Sequence, residues 1–516
     1  MMNGAESLLK TLIDAGVEVC FSNPGTSEMQ FVAAIDNCEG MQPVLALFEG
    51  VATGAADGYG RMAEKPAATL LHLGPGLANG MANLHNANRA GTPIVNIVGD
   101  HATYHLPFDA PLTSDVNGYS NLVSSWVRVS DSADDLAAAG AEAVVAAMEK
   151  AGQIATLIAP ADHAWEESQG PAAVLPQPTL EQASDEVIQQ AADALRSGEE
   201  TAIFLGGKAL LEPALTVAGR IAEATGVRLV CETFPARMQR GAGRVMVERL
   251  PYFGEMAADF LKDFKRIILV GSKSPVSFFA YPGKPSWLSP DDCETTNLAA
   301  PGMDVLTALE ALAAALDVPA EPARIQPAAV PPIPEDGKLD PMGIGAVVAN
   351  LMPEQAVVSD EAATCGLTLF PCTAGAAPHD WMMLTGGAIG QGLPLAVGAA
   401  VACPDRKVLA LQADGSAMYT VQALWTMVRE DLDITTVIIN NGSYAILNIE
   451  LQRVGVENAG PKALSMLDLT NPVIDWVSLA EGMGVPSTRA TTVQEFHDQL
   501  RDAINHKGPR LIEAII

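Results

Sequence analysis

Two apolar runs that break into polar clusters constrain this chain more than anything else in it. The first rises through Val408, Leu409, Ala410 and Leu411 and ends in Asp414, Gly415 and Ser416; apolar periodicity resumes at Met418 and Tyr419. The second, "TTVIINNGSY", ends at Asn440 and Asn441. From Asp414 to Asn441 is 441 − 414 = 27 residues, the length of a turn, a helix near 421–430 and a following strand. Such a crossover makes the two strands parallel. It sets their carboxyl ends side by side, where open α/β sheets collect ligands. A carboxylate, an amide oxygen and a nearby backbone carbonyl are hard oxygen donors. They suit Mg²⁺, which completes its octahedron with phosphate oxygens. Gly415 and Ser416 open the next helix, whose N-terminal amides can take an anion. Alone, Asp-Gly-Ser is an ordinary turn or helix cap. With the Asn-Asn pair at this spacing it marks a site.

The same alternation of short apolar runs and helical patterns fills the rest of the chain, which predicts parallel sheets. A first unit holds "VEVCF", "ATLLHLGPG", "PIVNIVGD" and "IATLIAP". A second holds "TAIFLGG", "VRLVCET" and "RIILVGS", and a third "AVVSDE", "KVLALQADGS", "TTVIINN" and "RLIEAII". Pro-rich stretches at 170–178 and 318–337 separate them. The chain of 516 residues exceeds one ordinary core, and about 150 residues per domain gives about three. We therefore expect α/β domains over 1–168, 180–318 and 337–516, the first and third alike in size and pattern.

A net charge of −31 disfavours nucleic acid and anionic membranes as partners, since both are polyanions. Seven scattered cysteines without a CxxC pair fit thiols in a reducing cytoplasm better than a disulfide framework. The N-terminal stretch has Leu8, Leu9, Leu12 and Ile13 at helical spacing with charges between them. It does not read as a signal peptide, and no apolar run is long enough to predict a transmembrane helix. A cytoplasmic enzyme is the expectation.

The segment Asp414–Gly415–Ser416 … Asn440–Asn441 resembles the signature of thiamine-diphosphate-dependent enzymes. "LTGGAIGQGLPLAVGAA" (384–400), "ALWTMVRED" and "NNGSYAIL" are similar to the cofactor domain of benzoylformate decarboxylases and acetolactate-synthase-like enzymes. "FSNPGTSEMQF" and "LALFEGVATGAADGYGRM" resemble that family's pyrimidine-binding domain. The resemblance implies three doubly wound parallel-sheet domains: an N-terminal pyrimidine-binding domain, a central α/β domain, and a C-terminal domain for the diphosphate and Mg²⁺. It implies thiamine diphosphate and Mg²⁺ as cofactors, with Asp414, Asn441 and the carbonyl of Ser443 as metal ligands. Asn23, Pro24, Gly25, Thr364, Gly387, Ile389, Gly415, Ser416 and Tyr444 would contact the cofactor. Ile389 would lie beneath its bent V, and the Gly387 carbonyl would meet its 4′-amino group. Glu49 would be the acid on the aminopyrimidine N1′ atom, which calls for a carboxyl in an apolar setting. The family places Glu49 and Asp414 of one site on different subunits, so a homodimer or homotetramer is expected.

On the substrate side the resemblance implies a lyase acting on 2-oxo acids or aldehydes. Decarboxylation, or carboligation through an enamine, would follow attack on the carbonyl. His72, at the end of "ATLLH", and Thr26 match catalytic positions of benzoylformate decarboxylases, and a histidine suits proton shuttling near neutral pH. The departures from the family are specific. Ala413 replaces the first glycine of the signature, Thr26 replaces a serine, and Ala363 and Gly366 thin the hydroxyls of the diphosphate loop. The stretch "SPVSFFAYPGKPSW" lacks the family's second histidine; Phe278, Phe279 and Tyr281 suggest an apolar lid instead. His101 and His105, in a loop after a strand, are further pocket candidates. Nothing in the central unit is specific for a flavin, so FAD is not expected. An acetolactate-synthase-type acyl transferase is the alternative within the family. A dinucleotide-dependent oxidoreductase using the glycine loop at 387–392 is the alternative outside it.

Overall fold

A computed structural model describes residues 2–335 and 337–516. Three parallel sheets carry the fold. The N-terminal sheet orders its six strands as Gln42–Leu45, Val19–Ser22, Ala67–His72, Ile94–Asp100, Ile154–Pro160 and Trp126–Val129, all parallel. Counted along the chain, that order is 2-1-3-4-6-5. The C-terminal sheet repeats it with His379–Met383, Val357–Glu361, Val408–Ala413, Ile434–Asn440, Arg510–Ile515 and Ser487–Ala490. The likeness of the first and third units is therefore one of topology as well as size. The central sheet runs 3-2-1-4-5, with Thr201–Leu205 at its middle.

The strands are apolar along their length because helices cover both faces. Ile154–Pro160 and Ile434–Asn440 are buried at every residue. Each 2-1-3 order reverses direction at its first strand. The crevice between strands one and three is then the expected ligand position. In the N-terminal sheet that crevice lies beyond Ser22 and His72; in the C-terminal sheet it lies beyond Glu361 and Ala413.

Two helices join the terminal domains. Glu49–Ala63 packs against Gly392–Ala402 so closely that a Cβ on Gly398 would overlap the Ala55 carbonyl, and one on Gly58 the Leu395 carbonyl. At the edge of this contact Asp57 pairs with Arg61 (2.7 Å) and accepts from Gln391 Nε2 (2.6 Å). Arg61 in turn donates to the Met383 carbonyl (2.8 Å).

One strand departs from the order of the sequence. Met238–Arg240 lies within the central unit's stretch of chain yet pairs antiparallel with His379–Met383 at the edge of the C-terminal sheet. No helix among the described residues is long and apolar enough to cross a membrane.

Candidate active site

Val408–Ala413 delivers Asp414 to the sheet's carboxyl end, where a short helix, Asp414–Ala417, begins. Asp414 is buried. Its Oδ1 accepts from the Gly415 amide and its Oδ2 from the Gly442 amide, both at 2.9 Å. Burial pushes its carboxyl up, and the amides oppose that shift. The neighbouring strand, Ile434–Asn440, runs into Asn441, whose Oδ1 accepts from Ser443 N (3.0 Å). Backbone bonds from Tyr444 N to Leu467 O and from Leu469 N to Gly442 O pin this loop. Asp414, Asn441 and the Ser443 backbone therefore gather at the ends of adjacent strands. They supply only oxygen, the donor set a hard cation takes with phosphate oxygens. Gly415 has no room for a side chain, because a Cβ would overlap the Tyr444 ring. This geometry fits Mg²⁺ and a diphosphate.

Two loops complete the C-terminal crevice. The strand Val357–Glu361 ends in Ala362, Ala363 and Thr364; Ala363 has φ +49°, a strained conformation of the kind that collects at sites. Thr364 is half-buried, and its hydroxyl makes no hydrogen bond among the described residues. Glu361, which sequence reasoning missed, accepts from the Gly390 and Gly392 amides, both at 2.6 Å. Burial pushes its carboxyl up to about 7. It anchors the second loop, 384–391, where Gly387 has φ +77° and a Cβ would stand 2.7 Å from Phe278 Cζ. Ile389 is half-buried in this loop. Helix Leu73–Ala90 holds it from the N-terminal domain, with Asn86 Nδ2 donating to the Ala388 carbonyl (2.8 Å).

Glu49 opens its helix and is 7% exposed. Its Oε2 accepts from Asn79 Nδ2 (3.0 Å), and Gly76 lies against it. His72 ends its strand, and the next residue, Leu73, has φ +46°. His72 Nδ1 is 2.8 Å from Glu28 Oε2 and 3.1 Å from Ser27 Oγ. Glu28 is fully buried and also accepts from Gly25 N (2.8 Å) and Ser27 Oγ (2.6 Å). A carboxylate at Nδ1 makes that nitrogen the donor and leaves Nε2 as the free basic atom.

The remaining predicted residues vary in what they meet. Asn23, Pro24 and Gly25 are half-buried in the loop after Val19–Ser22, with Gly25 against the His72 ring. Thr26 is exposed and its hydroxyl makes no hydrogen bond among the described residues; the hydroxyl beside His72 belongs to Ser27. His101 and His105 meet edge to face with centroids 5.3 Å apart; His101 Nε2 is buried and has no partner among the described residues, and His105 is exposed. Phe278 rather than Phe279 reaches the Gly387 loop; Phe279 is 53% exposed and packs on Phe278. Among the described residues no cluster of three or more His, Cys, Asp or Glu could hold a metal, so a single carboxylate with amide and carbonyl oxygens is the available donor set.

This fold and these two crevices define a class. The thiamine pyrophosphate enzyme family matches the chain by its N-terminal TPP binding domain over residues 2–119 and by its C-terminal TPP binding domain over 367–514. The chain belongs to that family. It is 54% identical over 518 residues, covering 100% of this chain and 99% of the relative, to a Mycobacterium tuberculosis protein titled "Putative acetolactate synthase large subunit IlvX". It is 27% identical to the benzoylformate decarboxylase of Pseudomonas aeruginosa, covering 96% of each. Among solved structures, the thiamine diphosphate-dependent 4-hydroxybenzoylformate decarboxylase of Rhodococcus jostii RHA1 superposes with a TM-score of 0.87 at 24% identity, covering 99% of each chain. The three-domain fold is thus shared with thiamine-dependent decarboxylases.

Proposed function

We propose that the chain is a thiamine-diphosphate- and Mg²⁺-dependent lyase acting on 2-oxo acids, releasing CO₂ with an aldehyde or a carboligated product. The His72–Glu28 pair at the N-terminal crevice carries this reading. Glu28 fixes the imidazole tautomer, so Nε2 can give a proton to, or take one from, a substrate carbon or oxygen. Decarboxylation to an aldehyde ends in such a protonation. Bound thiamine diphosphate supplies a carbon nucleophile and an electron sink for the departing carboxylate. Asp414, Asn441 and the Ser443 carbonyl would hold Mg²⁺ and, through it, the diphosphate, beside Thr364, Gly415 and Ser416. Ile389 and the Gly387 carbonyl would position the aminopyrimidine. Glu49, enclosed by Gly76 and Asn79, would hold a proton at its N1′ atom. Thr26 would offer its hydroxyl to the substrate, since that of Ser27 already donates to Glu28 Oε1. The two halves of each site would come from different subunits.

The test is CO₂ release from a panel of 2-oxo acids, with and without thiamine diphosphate and Mg²⁺. Cofactor-dependent release is expected. Glu49→Gln, which keeps shape but cannot exchange the proton, should lower turnover at least 100-fold, on the order expected for a lost acid–base group. It should retain thiamine diphosphate in a binding assay. Full turnover by this variant would remove Glu49 from the mechanism. A second reading, acyl transfer between two 2-oxo acids, is favoured by the name of the 54%-identical relative; acetolactate formed from pyruvate would identify it.

A further inference from the structure

Two arginines of the central domain lie over the edge of the C-terminal sheet, and neither makes an ion pair among the described residues. Arg240, on the strand that crosses to this sheet, is 5% exposed and donates to Thr373 Oγ1 (3.0 Å) and the Phe370 carbonyl (2.7 Å). Its guanidinium lies 3.7 Å from the centroid of the Phe370 ring. Arg249, partly exposed, lies 4.1 Å from the same centroid. Its side-chain hydrogen bond goes to the sulfur of Met383 (3.4 Å), a weak acceptor. The acid whose charge acts on both is Asp360; it accepts from the Ala362 amide (3.0 Å) and the Trp381 indole (3.1 Å), and among the described residues it is hydrogen-bonded to neither arginine.

Two guanidiniums against one carboxylate leave an excess of one positive charge. Charge in such surroundings is normally paired. A single carboxylate balances it, and Arg249 has donors left for the two-pronged contact that carboxylates make with guanidinium. A phosphate dianion would overshoot.

The position says which ligand. Met383 is in register with Asp360, and Asp360 with Leu411, at the carboxyl ends of their strands. Arg249 therefore sits two strands, about 10 Å, from the strand that runs into Asp414. It stands at the root of the loop bearing Gly387 and Ile389. A guanidinium here is unsuited to the carboxylate that leaves as CO₂. That group loses its charge in the transition state, so an ion pair would hold the ground state more tightly and slow the reaction. A carboxylate that survives the reaction carries no such penalty. We propose that Arg249, backed by Arg240, binds the distal carboxylate of the substrate, and that the substrate is a 2-oxo dicarboxylic acid. This rests on the 2-oxo acid reading above.

The test uses enzyme loaded with thiamine diphosphate and Mg²⁺. Glutarate binding is measured by calorimetry, and kcat/KM is measured for 2-oxoglutarate and for 2-oxopentanoate, which lacks the distal carboxylate. Arg249→Met should weaken glutarate binding and lower the ratio of the two kcat/KM values by roughly 10- to 100-fold, the size of a lost charged pair. Arg249→Lys, which keeps the charge but not the fork, should fall between, and carries the test if the methionine variant does not fold. Glutarate binding independent of residue 249, or an equal loss for both acids, would overturn the proposal. No turnover of any 2-oxo acid, with Arg249-dependent glutarate binding intact, would overturn the lyase reading and leave the carboxylate site standing.

Discussion

Glu28 sets what His72 can do. A carboxylate at Nδ1 with no access to water leaves one ring nitrogen for proton exchange, and the room for that carboxylate comes from Gly99, where a Cβ would overlap Glu28 Oε1. Glu28→Gln keeps the volume but presents an amide that can donate to Nδ1 and favour the other tautomer. We expect kcat to fall about 10- to 100-fold, the range for losing such a supporting partner. Thiamine diphosphate affinity should fall far less than kcat, because the carboxamide oxygen of glutamine can still accept from the Gly25 amide that Glu28 now holds. An unchanged kcat would mean that His72 does not exchange the proton. That Asp414 and Asn441 lie at the ends of adjacent strands was legible in the sequence, because a crossover length is dictated by chain geometry. Glu28 was not, because its partner lies 72 − 28 = 44 residues away and a lone acid beside Asn-Pro-Gly-Thr-Ser reads as a turn.

At the scale of elements, the helix pair that joins the terminal domains rests on glycine. The Gly398 position abuts the Ala55 carbonyl, an atom of the helix backbone that cannot swing aside. Gly398→Ala must push the helices apart, and we expect it to destabilise the fold by roughly 1–3 kcal/mol, typical of overpacking. Gly482, near the end of helix Trp476–Gly482 with nothing within 4 Å of a would-be Cβ, is the control. Gly482→Ala should be neutral or slightly stabilising through helix propensity. Equal denaturation midpoints for the two variants would contradict this packing. The strands themselves were legible wherever apolar runs marked them. Val357–Glu361 ends in three polar residues, Ser359, Asp360 and Glu361, which apolar periodicity alone would not hold in a strand. They remain in the strand because each is satisfied by distant chain: Ser359 by the Gly392 carbonyl (2.7 Å), Asp360 by Trp381, Glu361 by the Gly390 and Gly392 amides. Periodicity does not report hydrogen bonds made across a fold. The same holds for Met238–Arg240, whose sheet partner lies in another unit of the sequence.

For the whole molecule, two sheets of one topology present two crevices with different chemistry. Glu49, His72 and Glu28 belong to the first, Asp414, Asn441 and Glu361 to the second. Glu49 takes its hydrogen bond from Asn79 and Asp414 takes its bonds from Gly415 and Gly442, so each cluster is satisfied within its own domain. Among the described residues no hydrogen bond joins them within the chain. The loop after Asp100 and the helix that follows it expose Tyr104 (66%), Phe108 (75%) and Leu122 (71%), apolar area of the kind that marks an interface. Both facts favour a site completed by a second copy. If the N-terminal half of each site comes from one subunit and the C-terminal half from the other, Glu49→Gln and Asp414→Ala subunits are defective in opposite halves. In a mixed dimer both defects fall in one site, and the other site is wild type throughout. Equal mixing with free exchange makes half the dimers mixed, each with one working site of two, so about a quarter of wild-type activity should return from two inactive parents. Activity that stays at the parental level after exchange, with mixed dimers demonstrated by differential tags, would place both halves of the site on one chain.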